Sequence, residues 1–268
     1  MGNITAVIAG CGGAGKTTAT INLGIALAAR GQRVLLVDGA AGLPDLDASL
    51  SLERAVRHTV SDVIRGRCET AAALVRVPHA EHLWLLPAGP TGGECLHRAA
   101  IADIVSGLID DYDQILIDAP PGNEAGWLAA VAAAATYVVV AQHTVQHRRG
   151  VESVLSRLRE EQLLSEHPLI LFNRVTPARS TATGVSTADL LYAWGLDDDD
   201  VIGSIPEDDA VLSAKHNGVP LLVSALPTAA GRAFVAAAGR LAAALAAREA
   251  ERDSDQTEVD DDVSRPQA

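Results

Sequence analysis

The chain has 268 residues, 48% of them apolar but only 3% aromatic, and a formal net charge of −13. That length suits one large α/β domain with a core of Ala, Val, Leu and Ile, and the charge argues against nucleic acid or an anionic lipid surface as a general partner, because both require clustered cations. Three cysteines without a CxxC pair, Cys11, Cys68 and Cys95, argue against a disulfide framework or a zinc site and fit a reducing cytoplasm.

Short β-branched runs alternate with stretches of helical period, the rhythm of βαβ units on a parallel sheet. Strands are predicted at Ile4–Ala9, Arg33–Asp38, Leu83–Pro87, Asp113–Ala119, Thr136–Gln142, Pro168–Val175 and Val201–Pro206. The clearest helix is predicted over Thr17–Arg30, with Ile21, Ile25 and Ala28 on one face and Gly31 as its cap. The apolar stretch from Ala125 is interrupted by Gly126 and Thr136 and reads as a helix followed by a strand rather than a membrane span. No charged segment with an apolar core opens the chain as a secretion signal would. The last helical pattern puts Phe234, Leu241 and Leu245 on one stripe, and residues 251–268 beyond it carry seven acids against two arginines. Residues 1–250 are therefore expected to form the domain and 251–268 an acidic disordered tail, a regulatory segment being the alternative. Lys16 and Lys215 are the only lysines; acid-rich, lysine-poor chains are met in salt-accumulating haloarchaea and also in GC-rich mesophiles.

Chemistry concentrates at residues 9–18, AGCGGAGKTT. Gly10 to Thr17 fits G-x-x-x-x-G-K-[ST] in full, directly after a predicted strand and before a predicted helix, the context that makes a phosphate-binding loop credible. In such a loop, glycines let backbone N–H groups point at phosphate oxygens, Lys16 reaches the outer phosphates, and the Thr17 hydroxyl ligates Mg²⁺. The binding set is thus Gly10, Cys11, Gly12, Gly13, Ala14, Gly15, Lys16, Thr17 and Thr18. Asp118, closing the apolar run ILID, is the expected metal carboxylate, with the Gly122 amide placed for the terminal phosphate and Asp38 as a second carboxylate near the same ion. Lys16, Asp38 and Asp118 are the candidate catalytic groups, and Thr17, Asp38 and Asp118 the candidate metal ligands.

These motifs, with ARGQRVLLVDGAAGLPDLDASLSLE, LIDAPPG and VIGSIPEDDAVLSAKHNGVPL, resemble the deviant Walker A ATPases of the MinD/ParA family, and its MinD branch more than ParA. The resemblance covers roughly residues 3–245. It implies a doubly wound, mostly parallel sheet flanked by helices, ATP and Mg²⁺ as cofactors, an ATP-dependent homodimer, and a protein partner of unknown identity in the positioning of cell division or another machine. By matching position, Asn173, Pro206, Glu207 and Asp208 would lie near the adenine; a strand end and a helix start are the alternative account of the same residues. MinD chains end in a cationic amphipathic helix, whereas this one ends in alanine and then acid, so direct membrane binding is not expected.

Two positions depart from the family pattern. The family loop reads K-G-G-x-G-K-T, its first lysine reaching the partner subunit's phosphates, and here that position is Cys11; the family ends its second strand in D-x-D, and here the triplet is Asp38, Gly39, Ala40. Both losses strike hydrolysis more than binding, so slow or lost turnover is expected. Arg148 or Arg149, K⁺, and Asp45 or Asp47 are the groups open to compensate. Cys11 itself is open to two readings, a redox-sensitive thiol near a helix N-terminus or a small filler residue, and His143 with His147 is either a metal pair or a pair of surface histidines. A non-hydrolysing ATP-dependent scaffold is the alternative function, with an ATP-dependent biosynthetic enzyme on the same fold behind it.

Overall fold

The computed structural model describes residues 2–39, 46–89, 98–120, 125–164, 167–176, 186–224 and 227–263. The strands are β1 (Asn3–Ile8), β2 (Val34–Asp38), β3 (Val75–Arg76), β4 (Leu83–Leu86), β5 (Gln114–Asp118), β6 (Thr136–Ala141), β7 (Leu169–Val175) and β8 (Val201–Pro206). Among the described residues the helices are α1 (Lys16–Ala28), α2 (Leu46–Ser49), α3 (Val60–Ile64), α4 (Thr70–Ala73), α5 (Arg98–Ser106), α6 (Ala125–Ala133), α7 (Val145–Glu160), α8 (Thr187–Trp194), α9 (Asp209–Asn217) and α10 (Ala229–Val263). All seven expected strands are present; β3, two residues pairing antiparallel with β4 at the sheet edge, has too little sequence to announce itself.

The sheet runs β3-β4-β2-β5-β1-β6-β7-β8, and every pair from β4 to β8 is parallel. Its inner strands β2, β5 and β6 are buried on both faces, which explains their continuous apolar runs. One face packs on α1 and α10 through Leu23, Leu27, Phe234, Leu241 and Leu245; the other packs on α5 to α8 through Ile101, Trp127, Leu155 and Trp194. The apolar segment from Ala125 is α6 followed by β6, both inside this core. Helix α1 ends close to its predicted boundary, and Gly31 follows at φ 87°, a left-handed conformation that ends the helix without a Cβ penalty.

Helix α10 does not stop at residue 250. It continues through Val263, and residues 264–268 lie outside the described residues. The physical reason is that neither Gly nor Pro occurs between Arg240 and Val263, and an alanine-rich helix propagates cheaply until something breaks it. Over Ala229–Arg252 the helix is long and apolar enough to cross a membrane by composition, but its Phe234–Leu245 stripe is spent on β8 and α1.

Candidate functional site

Parallel strands bring their C-terminal ends to one edge, and the loop between β1 and α1 lies there, over the middle of the sheet. Gly13 and Gly15 take φ values of 74° and 96°, which glycine adopts without strain, and a Cβ on Gly12 or Gly13 would meet nothing within 4 Å. The loop is therefore open to solvent-sized space at Gly12 and Gly13. Lys16 and Thr17 begin α1 immediately after Gly15, so the positive end of the helix and the Lys16 ammonium converge on one spot.

Beside them stands Asp118, 3% exposed at the end of β5. The Thr17 hydroxyl donates to one of its carboxylate oxygens at 2.7 Å, and the Thr20 hydroxyl lies 3.4 Å from the other. Burial lowers the Lys16 ammonium below the usual lysine range, and the negative charge of Asp118 opposes that shift. Asp38 is directly across from Asp118 in the β2–β5 register and 1% exposed. Two carboxylates, a hydroxyl and an ammonium thus meet at the mouth of an open amide cradle. Gly122, Ala40 and Asp45 lie outside the described residues.

Three further groups fasten the loop. Asn173, at the end of β7, donates from its amide nitrogen to the Ala14 carbonyl at 2.8 Å; its side chain lies so near Gly15 that a Cβ there would collide with it. Gln142, just past β6, donates to the Gly13 carbonyl at 3.3 Å. Helix α7 closes the third side: a Cβ on Gly10 would overlap the Gly150 backbone, and one on Gly150 would lie 2.6 Å from the Cys11 sulfur. The roles of Gln142, Thr20 and Gly150 were not foreseen, although the signal for Gln142 is present, since an apolar strand run closes in an amide at VVVAQ as at LILFN.

Other expected residues sort differently. Pro206 ends β8 opposite Val175, and the Glu207 amide donates to the Val175 carbonyl at 3.1 Å. Asp208 caps α9, accepting from Ala210 at 3.0 Å, and its second oxygen accepts from Ala230 at the start of α10 at 3.2 Å, so this carboxylate joins two helix starts. Thr18 accepts through its carbonyl from Asn22 at 2.8 Å. Arg148 pairs with Glu152 at 3.3 Å on the surface of α7, and Arg149 is exposed. Asp47 caps its own neighbour Ala48 at 2.8 Å.

Two open readings are sorted, the first in favour of the filler at Cys11 and the second against surface histidines. Burial pushes the Cys11 thiol up rather than down, and its sulfur sits 3.4 Å from the Gln146 carbonyl, which makes it a filler against α7 and not an activated thiol. His143 and His147 are 4% and 6% exposed, so they are not surface histidines. His143 stacks on Phe172 at 4.6 Å and shares a 3.0 Å hydrogen bond with the Thr187 hydroxyl. Among the described residues no group of three or more His, Cys, Asp or Glu side chains is placed to hold a metal ion.

A phosphate loop between a central strand and a buried helix, with a carboxylate from the neighbouring strand on its threonine, defines a P-loop nucleotide-binding protein. Residues 5–221 match the family model described as the CobQ/CobB/MinD/ParA nucleotide binding domain, and the chain belongs to that family. It is 34% identical to the septum site-determining protein MinD of Thermotoga maritima over 223 residues, 82% of this chain and 81% of that one. The corresponding Bacillus subtilis protein is 32% identical over 224 residues, 82% of each. Among solved structures, the MinC:MinD cell division protein complex of Aquifex aeolicus contains a chain that is 30% identical, with a TM-score of 0.79 covering 90% of this chain and 96% of that one.

Proposed function

We propose that the chain is an ATP-binding switch of the MinD type that acts in the placement of cell division, with a bound state that is long-lived because hydrolysis is slow. The observation that carries this is the combination at the loop: Lys16, Thr17 and Asp118 are assembled for a nucleotide, while the position that holds a trans-acting lysine in the family is Cys11, folded back onto the Gln146 carbonyl of its own chain. The residues fit a nucleotide with its magnesium. The open cradle at Gly12 and Gly13 accepts phosphate oxygens, Thr17, Asp38 and Asp118 would hold Mg²⁺, and the ion would neutralise charge between the outer phosphates. Asn173 and the backbone of Pro206, Glu207 and Asp208 are proposed to border the adenine, which lets Asp208 keep its two capping bonds.

A trans cation is worth about 10³ to 10⁵ in rate in P-loop enzymes. Replacing it with an uncharged thiol removes transition-state stabilisation while leaving the amide cradle that binds the ground state. ATP-dependent self-association belongs to this proposal, and recruitment of a further protein is supported by the similar Aquifex aeolicus protein, which is found in a complex of MinD with MinC. Contact with a lipid surface is assigned to a partner, because the apolar stripe of α10 is buried and the net charge is −13.

Calorimetry with ATP and Mg²⁺, followed by gel filtration in ATP and in ADP, tests this reading. The account expects saturable heat that Lys16→Ala weakens at least tenfold and an earlier elution in ATP. Absence of heat for the wild-type chain would refute it.

A further inference from the structure

The three groups that fasten the phosphate loop all adjoin one buried ring stack. His143 and Phe172 lie 4.6 Å apart at 22° between their planes, and Phe172 and Trp194 lie 6.1 Å apart at 20°. None of the three is more than 4% exposed. His143 directly follows Gln142, which donates to the Gly13 carbonyl, and Phe172 directly precedes Asn173, which donates to the Ala14 carbonyl. The Trp194 indole donates at 3.3 Å to the carbonyl of Arg148, two residues ahead of the Gly150 that packs on Gly10 and Cys11.

This adjacency has a mechanical meaning, because successive strand residues point to opposite faces. Phe172 belongs to the core layer under α5 to α8, so Asn173 turns the other way, toward the loop. A close-packed core leaves the strand little room to absorb a displacement. Moving the ring on one side therefore moves the amide on the other.

The imidazole does more than pack. Its Nε2 shares a 3.0 Å hydrogen bond with the Thr187 hydroxyl in the first turn of α8, while its Nδ1 is buried with no hydrogen-bond partner among the described residues. An unsatisfied buried nitrogen costs stability, and an apolar ring would stack without that cost. What the imidazole adds is the tie to α8. We propose that His143 is a positioning residue for the phosphate loop, linking Gln142 and Asn173 through the ring stack to Thr187 and Trp194, so that α8 sets how tightly the loop grips a nucleotide. This inference rests on the nucleotide-binding reading above.

The test measures MgATP affinity by calorimetry on the full chain, with 5-fluorotryptophan NMR as the structural readout. Thr187→Val removes the hydroxyl at a partly exposed position and should weaken MgATP binding about fivefold, the worth of one hydrogen bond, whereas Thr187→Ser keeps the hydroxyl and should bind as the wild type does. His143→Leu removes both tie and stack and should weaken binding about tenfold, and adding Thr187→Val to it should cost nothing further. In the wild type, MgATP should shift the Trp194 resonance and leave that of Trp84, which packs on Tyr112 ahead of β5, in place. Thr187→Val should diminish that shift. Should His143→Leu fail to fold, the Thr187 pair and the Trp194 resonance still decide. Wild-type affinity in Thr187→Val, additive losses in the double variant, or a Trp194 resonance indifferent to MgATP would overturn the positioning role alone; a wild-type chain that binds no MgATP would overturn the nucleotide-binding reading with it.

Discussion

At the scale of single residues, Asn173 shows how a side chain outside the motif can govern it. Its amide nitrogen satisfies the Ala14 carbonyl while its oxygen accepts from the Arg174 amide at 3.0 Å. Asn173→Asp is nearly isosteric but turns an oxygen toward the Ala14 oxygen, so it should cost about 1–3 kcal/mol and weaken ATP binding, measured by denaturant melts and calorimetry. Unchanged stability and affinity would show that the contact is incidental. The motif residues Gly10 to Thr17, with Asp38 and Asp118, were legible in the sequence because a phosphate cradle needs fixed residue types at fixed spacing. Asn173 was expected near the adenine by resemblance, but its bond to the loop was not read, since nothing local encodes a contact between residues 159 positions apart.

At the scale of elements, α7 is the one that the sequence undersold. Its Gly150 touches Gly10 and Cys11 so closely that an added methyl lies 2.6 Å from the Cys11 sulfur and 2.8 Å from the Gly10 carbonyl oxygen. Gly to Ala inside a helix ordinarily stabilises by about 1 kcal/mol. Gly150→Ala is expected to do the reverse, lowering Tm and ATP affinity by pushing α7 off the loop; a higher Tm with intact binding would contradict this packing. The same helix carries His147 in its first turn, with His143 just before it. Burial holds both imidazoles below the usual histidine range, and the charge of Arg174 adds to this at His147. The unfolded chain then takes up these protons first, at about pH 6.5, while the folded chain does not, so stability is full above that pH and falls as pH drops below it, by at most about 1.4 kcal/mol per pH unit for each proton. Urea melts between pH 7.5 and 5.5 should show this slope, and His147→Leu should flatten it; an equal slope in the variant would assign the effect elsewhere. Strands and α1 were readable from period and β-branching, but α10's continuation and β3 were not, because acid-rich sequence is compatible with helix or coil and a two-residue edge strand has no period.

At the scale of the whole molecule, the candidate nucleotide site lies at one end of the sheet. The C-terminal edge gathers the phosphate loop, both aspartates and the clamps from β6, β7 and α7, as the switch-point rule for doubly wound sheets requires. The proposed function holds that this design keeps what binds a nucleotide and omits two groups that hasten its cleavage. The most direct measurement is steady-state phosphate release from MgATP, with and without K⁺, for the wild-type chain and for Cys11→Lys/Ala40→Asp. The account predicts saturable ATP binding in both and turnover at least 10-fold faster in the double variant, a conservative fraction of the ~10³ or more that a trans cation supplies. Equal turnover in the two proteins would contradict it.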